Sequence, residues 1–140
     1  MGFFHSRGKT KTLSYPSANS VGYTEGDLLM FGASGEVVIW DSATGSAVLG
    51  VCRSSKAATD TTNSEVSVQV PIENFVEWEF DSDSDLATAD VGTYRDVDTN
   101  SNLIANTSVD DTVLVTRVIS AIRGVGVLTH TLLAPWRQST

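Results

Sequence analysis

The strict alternation of apolar and polar residues in two neighbouring runs constrains the fold of this 140-residue chain more than any other feature. The run EVSVQVPI, residues 65–72, alternates valines with polar side chains, and the run VEWEF, residues 76–80, alternates Val76, Trp78 and Phe80 with glutamates. Successive side chains of a β-strand leave it on opposite faces, so a period of two indicates strands with one buried face. The two runs therefore predict two half-buried strands.

The rest of the chain continues as short apolar runs separated by turn signals. A short helical turn is expected within Ser82–Asp90, and no run predicts a helix of ordinary length. This spacing predicts an all-β fold, a single compact β-barrel or β-sandwich of about eight short strands spanning residues 25–134. The further strands are predicted at Asp27–Phe31, Glu36–Trp40, Ala47–Arg53, Gly92–Val97, Leu103–Ala105, Thr112–Ser120 and Val125–Leu133.

Residues 1–24 lack this periodicity, which predicts an extended N-terminal arm with a short pairing segment at Thr12–Tyr15, and a C-terminal tail is predicted at residues 135–140. A frayed terminus is the ordinary interpretation of such an arm. Its aromatic residues favour an arm ordered by a neighbouring subunit, because a solvated tail rarely carries aromatics. The candidate partner-binding residues are aromatic or basic side chains of the arm and the tail: Phe3, Phe4, Arg7, Lys9, Lys11, Tyr15 and Trp136.

The charge distribution bears on the class of partner. The chain has a formal net charge of -8, yet its first eleven residues hold Arg7, Lys9 and Lys11 and no acid. Since affinity for nucleic acid comes mostly from neutralising phosphates, a body this acidic predicts no nucleic-acid partner. No apolar run is long enough to span a bilayer, so we expect no membrane partner.

Residues that could perform catalysis are few. The chain has two histidines, His5 and His130, and one cysteine, Cys52, on a predicted strand where it behaves as a small core residue. Nucleophilic catalysis needs a nucleophile, a base and a group that orients the base, and zinc needs three or four ligands at suitable spacing. We therefore predict a protein without enzymatic activity, catalytic residues, cofactor or metal site.

The acidic segment 81–85 is the one candidate for a cation. Asp81, Asp83 and Asp85 have the alternate spacing of a calcium loop, but Leu86 and Gly92 stand where that loop needs its glycine and its glutamate. A solvated acidic loop is the favoured interpretation, and an adventitious cation is the alternative.

A series of motifs along the chain resembles small head decoration, or cement, proteins of tailed bacteriophages. The motifs are, in order, VSVQVPI, VEWEFD, ADVGTYRDVDTNSN and SVDDTVLVTRVIS, and the earlier segment GDLLMF…GEVVIWDSATGSAVLGVC, residues 26–52, is similar to the opening of such modules. The resemblance covers residues 23–133, and it rests on the order of loose motifs. The arm and the tail have no counterpart in it.

The resemblance implies a β-barrel or sandwich on the outer surface of the capsid in the virion. Such a protein would form a homotrimer, bind the major capsid protein and stabilise contacts between its subunits, with the arm lying across a neighbour. The alternative is a recognition module of a phage tail or fibre that binds a surface glycan. Trp136 and the polar loop 54–64 favour that alternative.

Overall fold

The chain folds into two antiparallel β-sheets with almost no helix. A computed structural model describes residues 2–41, 47–62, 64–73, 75–82, 85–97, 104–105, 112–129 and 131. In chain order the strands are β1 (Phe4–Arg7), β2 (Thr10–Pro16), β3 (Leu28–Phe31), β4 (Val37–Ile39), β5 (Gly50–Cys52), β6 (Glu65–Pro71), β7 (Glu77–Asp81), β8 (Tyr94–Val97), β9 (Ile104–Ala105), β10 (Val113–Ser120) and β11 (Arg123–Leu128). Among the described residues, a 3-10 turn covers Thr88–Asp90. The predicted all-β class is confirmed.

The strand order defines the two sheets. The first sheet runs β1-β7-β11-β10-β8-β9, and the second runs β2-β6-β5-β3-β4. The two alternating runs of the sequence are β6 and β7, and they lie in different sheets. Strand β6 ends at Pro71, which has no backbone N–H to donate to a ladder.

One long antiparallel ribbon joins the sheets. Strand β1 pairs with β7 in the first sheet, and β2 pairs with β6 in the second. Only Gly8 and Lys9 separate β1 from β2, so both strands of the ribbon pass from one sheet to the other at the same place. There the backbone nitrogen of Ile72 donates to the Lys9 carbonyl (3.1 Å), and the backbone nitrogen of Lys9 donates to the Glu73 carboxylate (3.2 Å).

This ribbon corrects the prediction of an extended N-terminal arm. Residues 4–7 and 10–16 form strands of the two sheets, and Phe3 is only 1% exposed. Leu13 and Tyr15 pack against buried residues of the second sheet. The short pairing segment predicted at Thr12–Tyr15 is part of β2, which extends over Thr10–Pro16. Because only Leu13 and Tyr15 show a period of two, the sequence pattern is too weak to give the full length of the strand.

Two hydrophobic cores lie on opposite faces of the second sheet. The first core combines residues of both sheets: Phe3, Leu28, Met30, Trp40, Val48, Val51, Val76, Trp78, Phe80, Leu86, Val97, Val113, Val115 and Leu128. The second core comprises Tyr23, Leu29, Val37, Leu49, Cys52, Val66, Val68 and Val70. Leu28 and Leu29 are successive residues of β3 that enter different cores, as the alternation of side chains requires. At β3, both faces of this sheet are therefore covered.

The edge strands of the second sheet approach each other. Ser17, just beyond β2, forms an isolated parallel bridge with Val37 of β4. The buried hydroxyl of Tyr23 donates to the Val37 carbonyl and accepts from the Ala18 backbone nitrogen (2.9 Å). Burial raises the pKa of Tyr23. The hydroxyl thus satisfies backbone groups on both sides of the seam.

Replacement of Gly8 by alanine is expected to lower the free energy of unfolding by more than about 2 kcal/mol. Gly8 has φ +103, and an added Cβ would lie 2.7 Å from the Phe75 carbonyl oxygen and 2.8 Å from the Val76 Cα. Gly35→Ala is the matched control, because Gly35 has φ +87 with no heavy atom within 4 Å of the added Cβ. It should cost about 1 kcal/mol from backbone strain alone. Urea denaturation measures both losses, and equal losses would contradict the close approach at the bend.

Candidate functional site

The described aromatic residues that were predicted to bind a partner lie in different environments of the structure. Phe3 is buried in the first core and has no free surface, and Phe4 is half-buried in β1. The Tyr15 ring contacts the edge of the Phe31 ring, with centroids 5.4 Å apart. Trp136 lies outside the described residues. Phe3 is thereby corrected from a partner-binding to a core residue.

The basic residues of the predicted arm lie on β1, on β2 and at the bend between them. Lys9 is exposed at the bend and Lys11 is exposed on β2, while Arg7 ends β1 and forms an ion pair with Glu77 of β7. Arg7 is therefore the only one of the three basic residues whose ion pair with a described carboxylate is seen.

Arg7 belongs to a cleft of about 230 Å³ on the outer face of the first sheet. The cleft is lined by Ser6, Arg7, Glu77, Thr116 and Arg117, and we call it the two-bulge cleft. It takes residues from three strands, β1, β7 and β10, that are far apart in the sequence.

A β-bulge in β10 forms one wall of the two-bulge cleft. Val115 pairs with Gly126 and Arg117 with Val125, so Thr116 is an extra residue in the ladder. Val115 and Val118 both pack on the first core, which leaves Thr116 and Arg117 together on the outer face. Bulges redirect side chains in this way and are frequent beside functional sites.

A second bulge, in β1, forms the opposite wall. His5 pairs with Trp78 and Arg7 with Glu77, which leaves Ser6 unmatched. The sequence reasoning missed this cleft, because a bulge depends on the register of two strands. The signal that was present is the pair of successive polar residues, Thr116 and Arg117, inside the apolar run VLVTRVIS.

Glu77 is the buried charge at the base of the cleft, only 4% exposed. The sequence pattern placed it on the solvent face with other acids, and the structure keeps that face but covers the side chain. The Nε of Arg7 donates to Oε1 of Glu77 (2.7 Å), Nη2 of Arg7 contacts the same oxygen, and Oγ1 of Thr116 donates to Oε2 (2.6 Å). Both carboxylate oxygens are satisfied, so the charge is stable where it lies.

The ionisation of Glu77 follows from these contacts. Burial raises the pKa of its carboxyl, and this effect is outweighed by the hydrogen bonds from Thr116 and Arg7 and by the charges of Arg7 and Arg117. The net result is a pKa below the ordinary value. Glu77 is therefore an anion at neutral pH.

Arg117 differs from the other arginines that the structure describes. Arg53 pairs with Glu25 (3.3 Å), Arg95 with Asp90 (2.6 Å), and Arg123 with Glu79 (2.9 Å), while Arg7 pairs with Glu77. Arg117 is exposed, and within the described ranges no carboxylate lies within ion-pair distance of it. The two-bulge cleft thus presents a guanidinium whose charge is not directly paired.

Of the residues considered for catalysis, Cys52 lies in β5 of the second sheet and His5 in β1 of the first sheet. Cys52 is fully buried, its Sγ donates to the Ser54 carbonyl (2.9 Å), and burial raises its pKa to about 11. Such a thiol is a poor nucleophile, which agrees with its predicted core position. Nε2 of His5 donates to the Gly8 carbonyl (2.7 Å), and His130 is not among the described residues.

The part of the chain that the structure describes contains no candidate metal cluster and no candidate membrane-spanning helix. Its His, Cys, Asp and Glu residues include no group of three that could hold a metal ion. Asp83 is outside that part, so the acidic segment 81–85 remains a prediction. None of the described residues belongs to a helix long and apolar enough to cross a membrane.

The chain was compared with protein-family models, curated proteins and solved structures, and none of these comparisons gives a match.

Glu77→Gln is expected to remove part of the acid sensitivity of the fold. The pKa of Glu77 is lower in the folded than in the unfolded chain, where it is about 4.3. The stabilisation is therefore present above about pH 4.3 and is lost as the pH falls through the folded-state value. The free energy of unfolding should fall less in Glu77→Gln than in the wild type between about pH 7 and about pH 3.

Glu79→Gln is the matched control for that titration, because Glu79 forms a surface pair with Arg123 on the same strand face. Surface pairs contribute less than about 1 kcal/mol, so this variant should keep the pH dependence of the wild type. An identical pH dependence in Glu77→Gln and the wild type would show that Glu77 is not stabilised as an anion.

Proposed function

We propose that this protein is a non-enzymatic capsid decoration protein that binds the outer face of a phage head and stabilises contacts between major capsid subunits. The observation that carries the proposal is the order of sequence motifs that resemble cement proteins. Those motifs coincide with regular strands: VSVQVPI with β6, VEWEFD with β7, and VLVTRVIS with β10. The negative net charge suits a protein that is held outside a shell filled with DNA.

The fold that we propose for this role is a small barrel with a sheet packed against it. The second sheet would close through the Ser17–Val37 bridge, with the second core as its interior. The first sheet would cover the outside of this barrel across the first core. Closure would leave few exposed strand edges, which limits unwanted pairing on a crowded capsid surface.

The way in which the protein would engage the capsid differs from the sequence expectation. Since residues 4–16 are part of the two sheets, contacts would come from the surface of the folded domain rather than from a free arm. A rigid surface loses less conformational entropy on binding than an arm that orders at that moment. A homotrimer would multiply each contact, because linked sites bind at high effective concentration.

The proposed function predicts that the purified protein binds phage heads that lack their decoration protein and raises the temperature at which they release DNA. Co-sedimentation measures binding, and dye fluorescence during heating measures release. Light scattering of the free protein tests the homotrimer. Heads that neither bind the protein nor change their release temperature would contradict the proposal.

A second candidate function is recognition of a surface glycan, favoured by a polar pocket of about 310 Å³ at one end of β2 and β6. Lys56 lies there only 8% exposed, and its Nζ donates to the Asp60 carbonyl (3.1 Å). Hydroxyls and a fixed ammonium group suit hydrogen bonding to a sugar. The pocket is lined by Ser14, Ser54, Ser55, Lys56, Glu65, Val66 and Ser67.

A glycan array distinguishes the second candidate from the first. If the pocket binds a sugar, the wild type should give a specific signal that is lost in Ser14→Val, a substitution at an exposed strand position that fills the rim. Trp136→Ala tests the tail in the same assay. A wild type without any array signal would rule out this candidate for the glycans tested.

A further inference from the structure

Among the described residues that line the two-bulge cleft, there is one more positive than negative charge. Two guanidinium groups, of Arg7 and Arg117, face one carboxylate, of Glu77. This local excess stands on a chain whose net charge is -8. An isolated positive site on an acidic surface attracts an anion without attracting an extended polyanion, since charges beyond about 10 Å are largely screened in salt.

Arg7 is held in place and keeps donors for a ligand. Its Nε and Nη2 both contact Oε1 of Glu77, so the guanidinium is oriented by the buried carboxylate. Its side chain is nevertheless 77% exposed, and no described residue is bonded to its Nη1. A guanidinium fixed on one side and open on the other loses little entropy when it binds.

Arg117 is held beside it by backbone geometry. The bulge at Thr116 places Arg117 on the outer face, and Thr116 is anchored by its hydrogen bond to Glu77. Ser6, the extra residue of the other bulge, adds a hydroxyl to the lining. Guanidinium and hydroxyl donors around one cleft are the chemistry that recognises a carboxylate.

We propose that the two-bulge cleft binds an acidic side chain, of an aspartate or a glutamate, on the outer surface of the major capsid protein. The proposal rests on the proposed function, which supplies the partner, and it identifies the chemistry of the contact. A singly charged carboxylate fits better than a doubly charged phosphate, because Glu77 already places a negative charge at the base of the cleft. The incoming carboxylate accepts from Arg117 and from the free side of Arg7.

Binding of Arg117→Ala to heads that lack their decoration protein tests this inference. We expect the affinity to fall about tenfold or more, because the acidic partner would be left without its main donor. The affinity of the wild type should also fall as salt is raised, and that of Arg117→Ala should fall less.

Arg123→Ala is the matched control on the same hairpin. The Arg123 guanidinium is already paired with Glu79 (2.9 Å) and lies 3.9 Å from Asp81, so its loss should change the affinity less than about twofold. Urea denaturation of each variant shows whether it is folded, and Arg117→Lys, which keeps the charge, serves as a second variant that should retain part of the binding.

The possible results distinguish a failure of the acidic contact from a failure of the proposed function. A folded Arg117→Ala that binds heads as tightly as the wild type, or no more weakly than Arg123→Ala, overturns the acidic contact and leaves the proposed function standing. A wild type that does not bind the heads overturns the proposed function, and it also overturns the inference that the cleft binds the capsid.

Discussion

The bend in the ribbon formed by β1–β2 and β7–β6 is the constraint on which the rest of the structure depends. The chain can turn there because Gly8 has a positive φ and no side chain to collide with the backbone of Phe75 and Val76. The bend lets the same pair of strands contribute to both sheets. The first core, which draws on both sheets, can form only if that ribbon holds them together.

The same ribbon also positions residues of the two-bulge cleft. Arg7 is the last residue of β1 before the bend, and its pairing with Glu77 crosses the ribbon. The bulge at Ser6 lies one residue earlier, and the bulge at Thr116 lies across β7 and β11 in β10. The two-bulge cleft is thus a product of irregularities in an otherwise regular sheet, where proteins commonly redirect side chains for binding.

Sequence periodicity predicted which side chains of a strand are buried, because burial there depends on local alternation. Trp78, Phe80 and the valines of β6 are buried as the period of two requires, and Cys52 is a core residue. Ile72, which continues the alternation of these valines in the run EVSVQVPI, is an exception, since β6 ends at Pro71 and leaves Ile72 45% exposed at the bend. Periodicity reports the faces of a strand and says nothing about where the strand stops.

What could not be predicted depends on pairing between distant segments. Strand β2 extends beyond the predicted pairing segment Thr12–Tyr15 because β6 offers it a complete register over Thr10–Pro16, which its own weak pattern does not show. The strands predicted at Thr112–Ser120 and Val125–Leu133 leave Arg123 and Gly124 to the turn between them, yet those two residues begin β11 and the turn lies at Ala121–Ile122. The burial of Glu77 likewise arises from Arg7, seventy residues away, which no local pattern encodes.

Amide hydrogen exchange of residues 10–16 tests the central claim most directly, because it reports whether the N-terminal segment is part of the sheets in solution. The backbone amides of β2 that bond to β6 should be protected to the same degree as those of β6, since both belong to one ribbon. Exchange of those amides at the rate of an unstructured peptide, with β6 still protected, would contradict the account and restore a free arm.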